Sequence, residues 1–330
     1  MKKWKEKHPI KCFIAQKSLP ILVVISSFFL VVGIVLFFIV ILRDEYLTNS
    51  WKIDVDLAAD FGTFFQGLIG TIFGVAGALF VAVSLLYQAL LSKKASIENI
   101  FFKMVDYHRE IVSNIRIKSY KEFTKDNVEK VEGSRAFVLF KLQLFDILKI
   151  VQERNESLSE KMSEENEINL AYMIFFYGID KDWDSFTNMH LNEYGKENLE
   201  YFEKKRMEIL KKTGKNIGRT NQTILSSYYR NMYNAIKFID ESIYLSKEEK
   251  YNYIKMYRSQ FSNSELAILF FNLKSKFGKN WISYEKGENI IEHNLVERYK
   301  LIKNIPKGYL QNFDHKKSFD MEYEDDELGN

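Results

Sequence analysis

The residues best equipped for chemistry in this chain stand in two short stretches. In SSYYRNMYN, Tyr228, Tyr229, Arg230 and Tyr233 crowd one or two helical turns, and aromatic faces beside a guanidinium form a platform for a ligand or a nucleic-acid base. The same spacing equally suits a buried tyrosine face with Arg230 at its rim. In YRSQFSNSE, Arg258, Gln260, Ser262 and Glu265 are placed to make a polar network. Ser262-x-x-Glu265 ahead of LAILFF is also a capping box, in which the two side chains satisfy free N–H groups at a helix start. His108 joins the tyrosines as a candidate for a ligand or partner face.

Recognisable catalytic patterns are missing. The five histidines, His8, His108, His190, His293 and His315, and the one cysteine, Cys12, fit no zinc spacing, so neither a metal nor a cofactor is expected. There is no G-x-S-x-G elbow and no Walker loop. The HEPN ribonuclease signature needs an Arg four to six residues before a His; here His293 and Arg298 run in the reverse order. With no recognisable catalytic motif, the sequence leans away from an enzyme and leaves the question open. Its +3 balance comes from cations interleaved with acids rather than gathered in a stripe, which does not support nucleic acid as a partner. A single cysteine excludes an intrachain disulfide and suits a reducing compartment.

Charge vanishes from two long windows that must be positioned first. Ile21 to Leu42 is uncharged over 22 residues, and at roughly 1.5 Å per residue a helix of that length crosses a hydrocarbon core of about 30 Å. Phe61 to Ser92 is uncharged over 32 residues and spans with tilt or emerges by a turn or two. The first window is longer than a signal-peptide core and ends in Ile41-Leu42-Arg43, which has no small-residue cleavage pattern; it reads as a retained anchor. Lysines precede the first window and follow the second, whereas the segment between them is acidic, so both termini are expected in the cytoplasm.

The second window carries Gly67, Gly70, Gly74 and Gly77 at helical steps of three, four and three. In lipid, such a small-residue stripe lets helix backbones approach closely. Its partner is either the first span or a second copy of the chain.

From Ile97 onward the apolar residues recur at helical spacing, as in Leu225, Tyr228, Met232, Ala235, Ile236 and Ile239. With prolines only at 9, 20 and 306, nothing breaks these helices, and no strand alternation is visible. The expected architecture is all-α: a basic N-terminus (1–18), transmembrane helix 1 (19–42), an external loop (43–60), a Gly-rich transmembrane helix 2 (61–92), a cytoplasmic helical domain (93–310) and an acidic, disordered tail (311–330). Residues 180 to 195 read as a loop within the domain.

These stretches together resemble the phage abortive infection protein family. YYRNMYNAIKFID and YIKMYRSQFSNSELAILFFN are similar to its paired signature, roughly H-Y-F-R-x-L-Y and R-x-Q-L-S-x-x-E-L-x-L-L-F-Y-N. Asp60-Phe61-Gly62 through Gly70, Phe101 to His108 and Gly133 to Phe137 resemble further elements of the family. Ser227 stands where the family often has His. The resemblance implies anti-phage defence in a bacterium, at the cytoplasmic membrane. The expected mode is a helical domain that senses infection and a hairpin that perturbs the bilayer. The bilayer, a second copy of the chain and a phage-derived trigger would be its partners. A membrane-tethered receptor or scaffold, or a cytosol-facing nuclease, is the alternative.

Overall fold

The computed structural model describes residues 9–42, 55–118, 130–179, 189–286 and 289–324. The lysines before Pro9, the loop residues 43–54, the stretch 180–188 and the acidic end 325–330 lie outside the described residues. The described residues form eleven α-helices and two small antiparallel hairpins of strand, so the chain is all-α in class. It divides into two compact units, Met1–Ile100 with Ser242–Ser246, and Phe101–Glu241 with Lys247–Asn330.

The first unit holds α1 (Pro9–Ile41), α2 (Val55–Phe64), a π-helical turn (Phe65–Gly70) and the beginning of α3 (Thr71–Ser113). α1 starts ten residues earlier than the expected span and runs through Pro20. The sequence boundary rested on charge, and a helix has no reason to stop where charge begins. Two helices here are long and apolar enough to cross a membrane, with Leu19–Val40 in one and Ala58–Ser113 the other. Only 17% and 11% of their apolar windows are buried inside the protein. The core helix of a water-soluble protein would hide this surface, at roughly 25 cal/mol for each Å².

Ser26, Gly33 and Val40 are buried on α1, and Ile69, Ala76 and Val83 on the second helix. Both sets step by seven residues, the repeat of a helix–helix seam. Along it the Phe37 and Phe65 rings meet at 5.6 Å, and a Cβ on Gly33 would lie 3.1 Å from the Phe73 ring. Ser26 stays satisfied there by donating to the carbonyls of Leu22 and Val23, at 2.9 and 3.0 Å.

This seam corrects one reading of the glycines. Gly67, Gly70, Gly74 and Gly77 are exposed; a Cβ on Gly67, Gly74 or Gly77 would meet nothing within 4 Å, and on Gly70 only the Phe65 carbonyl of its own helix. The first span does not cover them, because Ile69, Ala76 and Val83 turn toward it and leave the glycines on the other side.

The second unit takes Phe101–Ser113 of α3, then β1 (Arg116–Lys118), β2 (Lys130–Glu132), α4 (Arg135–Glu156), α5 (Glu164–Tyr177), α6 (Lys196–Thr213), α7 (Gln222–Asp240), α8 (Lys247–Arg258) and α9 (Asn263–Lys274). The short α10 (Lys279–Ile282), β3 (Ser283–Lys286), β4 (Asn289–Glu292) and α11 (Leu295–Arg298) complete it. Two helices are buried on every side and form the centre: Ile168–Tyr177 of α5 and Ser264–Leu273 of α9 are buried without interruption. α7 lies on them with Leu225, Tyr228, Met232, Ala235, Ile236 and Ile239, the stripe read from the sequence. The two hairpins escaped notice because strands of three or four residues are too short to show alternation.

The tail expected to be disordered is packed as far as Glu324. His315, Phe319 and Tyr323 are buried, and the Tyr323 hydroxyl donates to the carbonyls of His315 at 2.9 Å and Phe319 at 3.2 Å. The acids there misled, since the aromatics between them face inward.

Candidate functional site

The paired signature folds into α7, α8 and α9, with α3 laid against them. Phe101, Val105 and His108 form the buried edge of α3. The His108 ring lies 4.7 Å from Tyr228, 5.2 Å from Tyr257 and 5.5 Å from Phe261. It is 3% exposed, and neither ring nitrogen has a hydrogen-bond partner among the described residues. Burial alone pushes its pKa down to about 4, so it is neutral at neutral pH. A catalytic histidine needs a carboxylate or carbonyl to orient one nitrogen and a reacting group on the other. His108 has aromatic faces in both places.

Glu265 carries out the capping role. Its Oε2 accepts from the Ser262 backbone N–H at 2.8 Å and the Ser262 hydroxyl at 2.7 Å, while its own N–H donates to Ser262 Oγ at 3.3 Å. Oε1 accepts from the Tyr228 hydroxyl at 3.2 Å, which ties α7 to the start of α9. Burial pushes the Glu265 carboxyl up, against the pull of these hydrogen bonds. The same burial, with the Glu265 charge beside it, pushes the Tyr228 phenol well up.

Arg258 does a different job. It is buried at the end of α8 and donates to the carbonyls of Tyr299 at 3.0 Å and Lys300 at 2.7 Å, where Lys300 adopts a left-handed φ of 50°. No carboxylate among the described residues pairs with it. Gln260, exposed, accepts from Arg109 Nε at 2.9 Å. The four polar residues of the signature therefore split among a helix cap, a clamp on the C-terminal segment and a tie to α3.

The tyrosine stretch also divides. Tyr228 faces His108, whereas Tyr229, Arg230 and Tyr233 line a cleft of about 340 Å³ with residues of α5 and α10. Its far wall is set by the end of α5, where Gly178 has φ +79° and a Cβ would fall 2.6 Å from Thr220 N. Only glycine fits that approach. Gln143 donates to the Ile217 carbonyl at 2.8 Å and Asn221 to the Phe175 carbonyl at 2.8 Å, which pins the loop before α7 beside Tyr177. Among the described residues no group of three or more His, Cys, Asp or Glu is placed to hold a metal ion.

Sequence reasoning missed Tyr257 and Phe261 as walls of the His108 pocket, and Tyr177, Phe277 and Trp281 as walls of the cleft. No local spacing joins them; they meet through packing. Asn231, between Arg230 and Met232, was also passed over: its amide donates to the Met104 carbonyl at 3.0 Å and fixes α7 on α3. Ser227 is exposed, so the departure from the family pattern touches neither the His108 pocket nor the cleft.

Residues 220–310 match the family model described as putative phage abortive infection protein. The match agrees with the resemblance and takes in Tyr228, Arg230, Arg258 and Glu265. No curated protein and no solved structure matches the chain.

Proposed function

We propose that this chain is a membrane-anchored anti-phage defence protein whose helical domain senses infection and whose two apolar helices then act on the bilayer. The family match supports a general anti-phage role. The observation that carries the membrane part is α3: one unbroken helix supplies lipid-type surface from Thr71 onward and then the buried Phe101, Val105 and His108 of the domain. A change in how α7, α8 and α9 hold those three residues is delivered to the apolar segment through the backbone itself. The glycine face, uncovered among the described residues, is the surface through which copies would assemble. On this reading the chain sits in the bacterial cytoplasmic membrane with both termini inside, as the flanking lysines favour.

The test is phage challenge of cells carrying the wild type, Gly70→Leu/Gly74→Leu or Arg258→Ala/Glu265→Ala, scored for protection and membrane potential together. Wild-type cells should lose potential before lysis, and both variants should lose protection. An intact potential in protected, dying wild-type cells would sink the membrane mechanism. Protection that survives the glycine change but not the domain change would favour a tethered receptor instead.

A further inference from the structure

The cleft beside α7 has a chemistry that neither the signature nor the family match assigns. Tyr177, Tyr229, Tyr233, Phe277 and Trp281 give it aromatic walls, with Tyr233 and Trp281 meeting edge to face at 5.2 Å. Aromatic walls alone would suit any apolar guest. What narrows the guest is the polar lining: the side chains of Gln222, Ser226 and Asn280 make no hydrogen bond among the described residues, although all three line the cleft. Amide groups of this kind pair with the donor–acceptor edge of a heterocycle, as asparagine and glutamine do with adenine.

One cation stands at the rim. Arg230 is exposed and spends only its Nε, on the Ser226 carbonyl at 3.3 Å. No carboxylate among the described residues neutralises it, so the fork of its terminal nitrogens is available to an anion. A single guanidinium matches one phosphate rather than a polyphosphate chain. The volume of about 340 Å³ falls at the small end of ligand pockets, roughly 300–1,000 Å³.

From these features we infer that the cleft binds a nucleoside monophosphate, its base between the aromatic walls against Gln222, Ser226 and Asn280, and its phosphate on Arg230. Every lining residue named except Tyr177 lies inside the family-matched segment. The cleft also sits back to back with the His108 pocket on α7: Tyr229 faces one and Tyr228 the other, and Asn231 holds the Met104 carbonyl. A bound nucleotide thus presses on the helix that grips α3. As the signal that the defence protein senses, this ligand rests on the function proposed above; the binding itself does not.

Titration calorimetry on the full chain in detergent micelles separates the two, with the four common ribonucleoside monophosphates, adenosine, inorganic phosphate and a single-stranded RNA of about ten nucleotides as probes. At least one monophosphate should bind at one site per chain. Arg230→Ala should weaken it roughly tenfold or more, the worth of a charge-assisted contact, and leave adenosine within about twofold. Tyr233→Ala should weaken both, and Ser226→Phe, which fills the cleft as well as removing a hydroxyl that faces the base, should abolish both. Absence of monophosphate binding, wild-type affinity in all three variants, or RNA that binds tighter than every monophosphate would overturn the inference. Phage protection by the same variants is a separate reading, so loss of binding with intact protection removes the nucleotide as trigger and leaves the defence role standing.

Discussion

His108 is a histidine kept from its usual chemistry, and that has a measurable cost. Burial holds its pKa at about 4 against an ordinary 6.5, so the folded chain leaves it neutral while the unfolded chain takes up a proton as pH falls. Its neutral form is therefore free of penalty above about pH 6.5, and stability is lost between there and about pH 4, at ~1.4 kcal/mol per pH unit. Glu265 has the opposite sign, because burial raises its carboxyl in the fold and the native state then holds its proton more readily. A comparison with His108→Phe removes only the first effect. Between about pH 7 and about pH 5 the wild type should lose denaturant midpoint faster than the variant; equal losses would mean that the imidazole takes up its proton as readily in the fold as in the unfolded chain. The histidine was visible in the sequence as a candidate for a ligand face, but its environment was not, since it is made by three helices far apart in the chain.

At the scale of helices, the two glycine positions make opposite predictions. Gly33 is pressed against Phe73 and Ile72, and Gly74 faces open space. Gly33→Leu should therefore overpack the seam and destabilise the helix pair by ~1–3 kcal/mol, whereas Gly74→Leu should leave it intact and even favour the helix. Disulfide trapping between cysteines placed at 37 and 65 reads the pair directly; equal yields from both variants would refute the seam. Much at this scale was legible. The capping box and the α7 stripe depend on neighbours three and four residues away, and both folded as read. The direction of the glycine face did not follow from its spacing, because a stripe says which residues lie together and not which helix they meet. Ile69, Ala76 and Val83 carry that information, hidden among many equally apolar neighbours.

For the molecule as a whole, the last described residues belong to the core. Phe319 and Tyr323 are buried, Arg258 clamps the chain at Tyr299 and Lys300, and the Glu324 N–H returns to the Lys303 carbonyl at 3.1 Å. Deletion of 311–330 should remove two buried aromatic side chains at ~2 kcal/mol each. The shortened chain should then be cut in the helical domain by low protease concentrations that spare the full chain; matched cleavage patterns would restore the free tail. Net acidity hid this packing, because composition averages over residues that point in different directions. The two faces of α7 have a consequence of another kind. With one face toward the cleft and the other in the core, the fully exposed residues of α7 are Thr223, Ser227, Arg230 and Asn234, a strip one side chain wide. Substitution at Thr223, Ser227 or Asn234 should therefore leave both the cleft and the core undisturbed, and a swap between serine and histidine at 227 alters the spelling of the helix without altering what it holds.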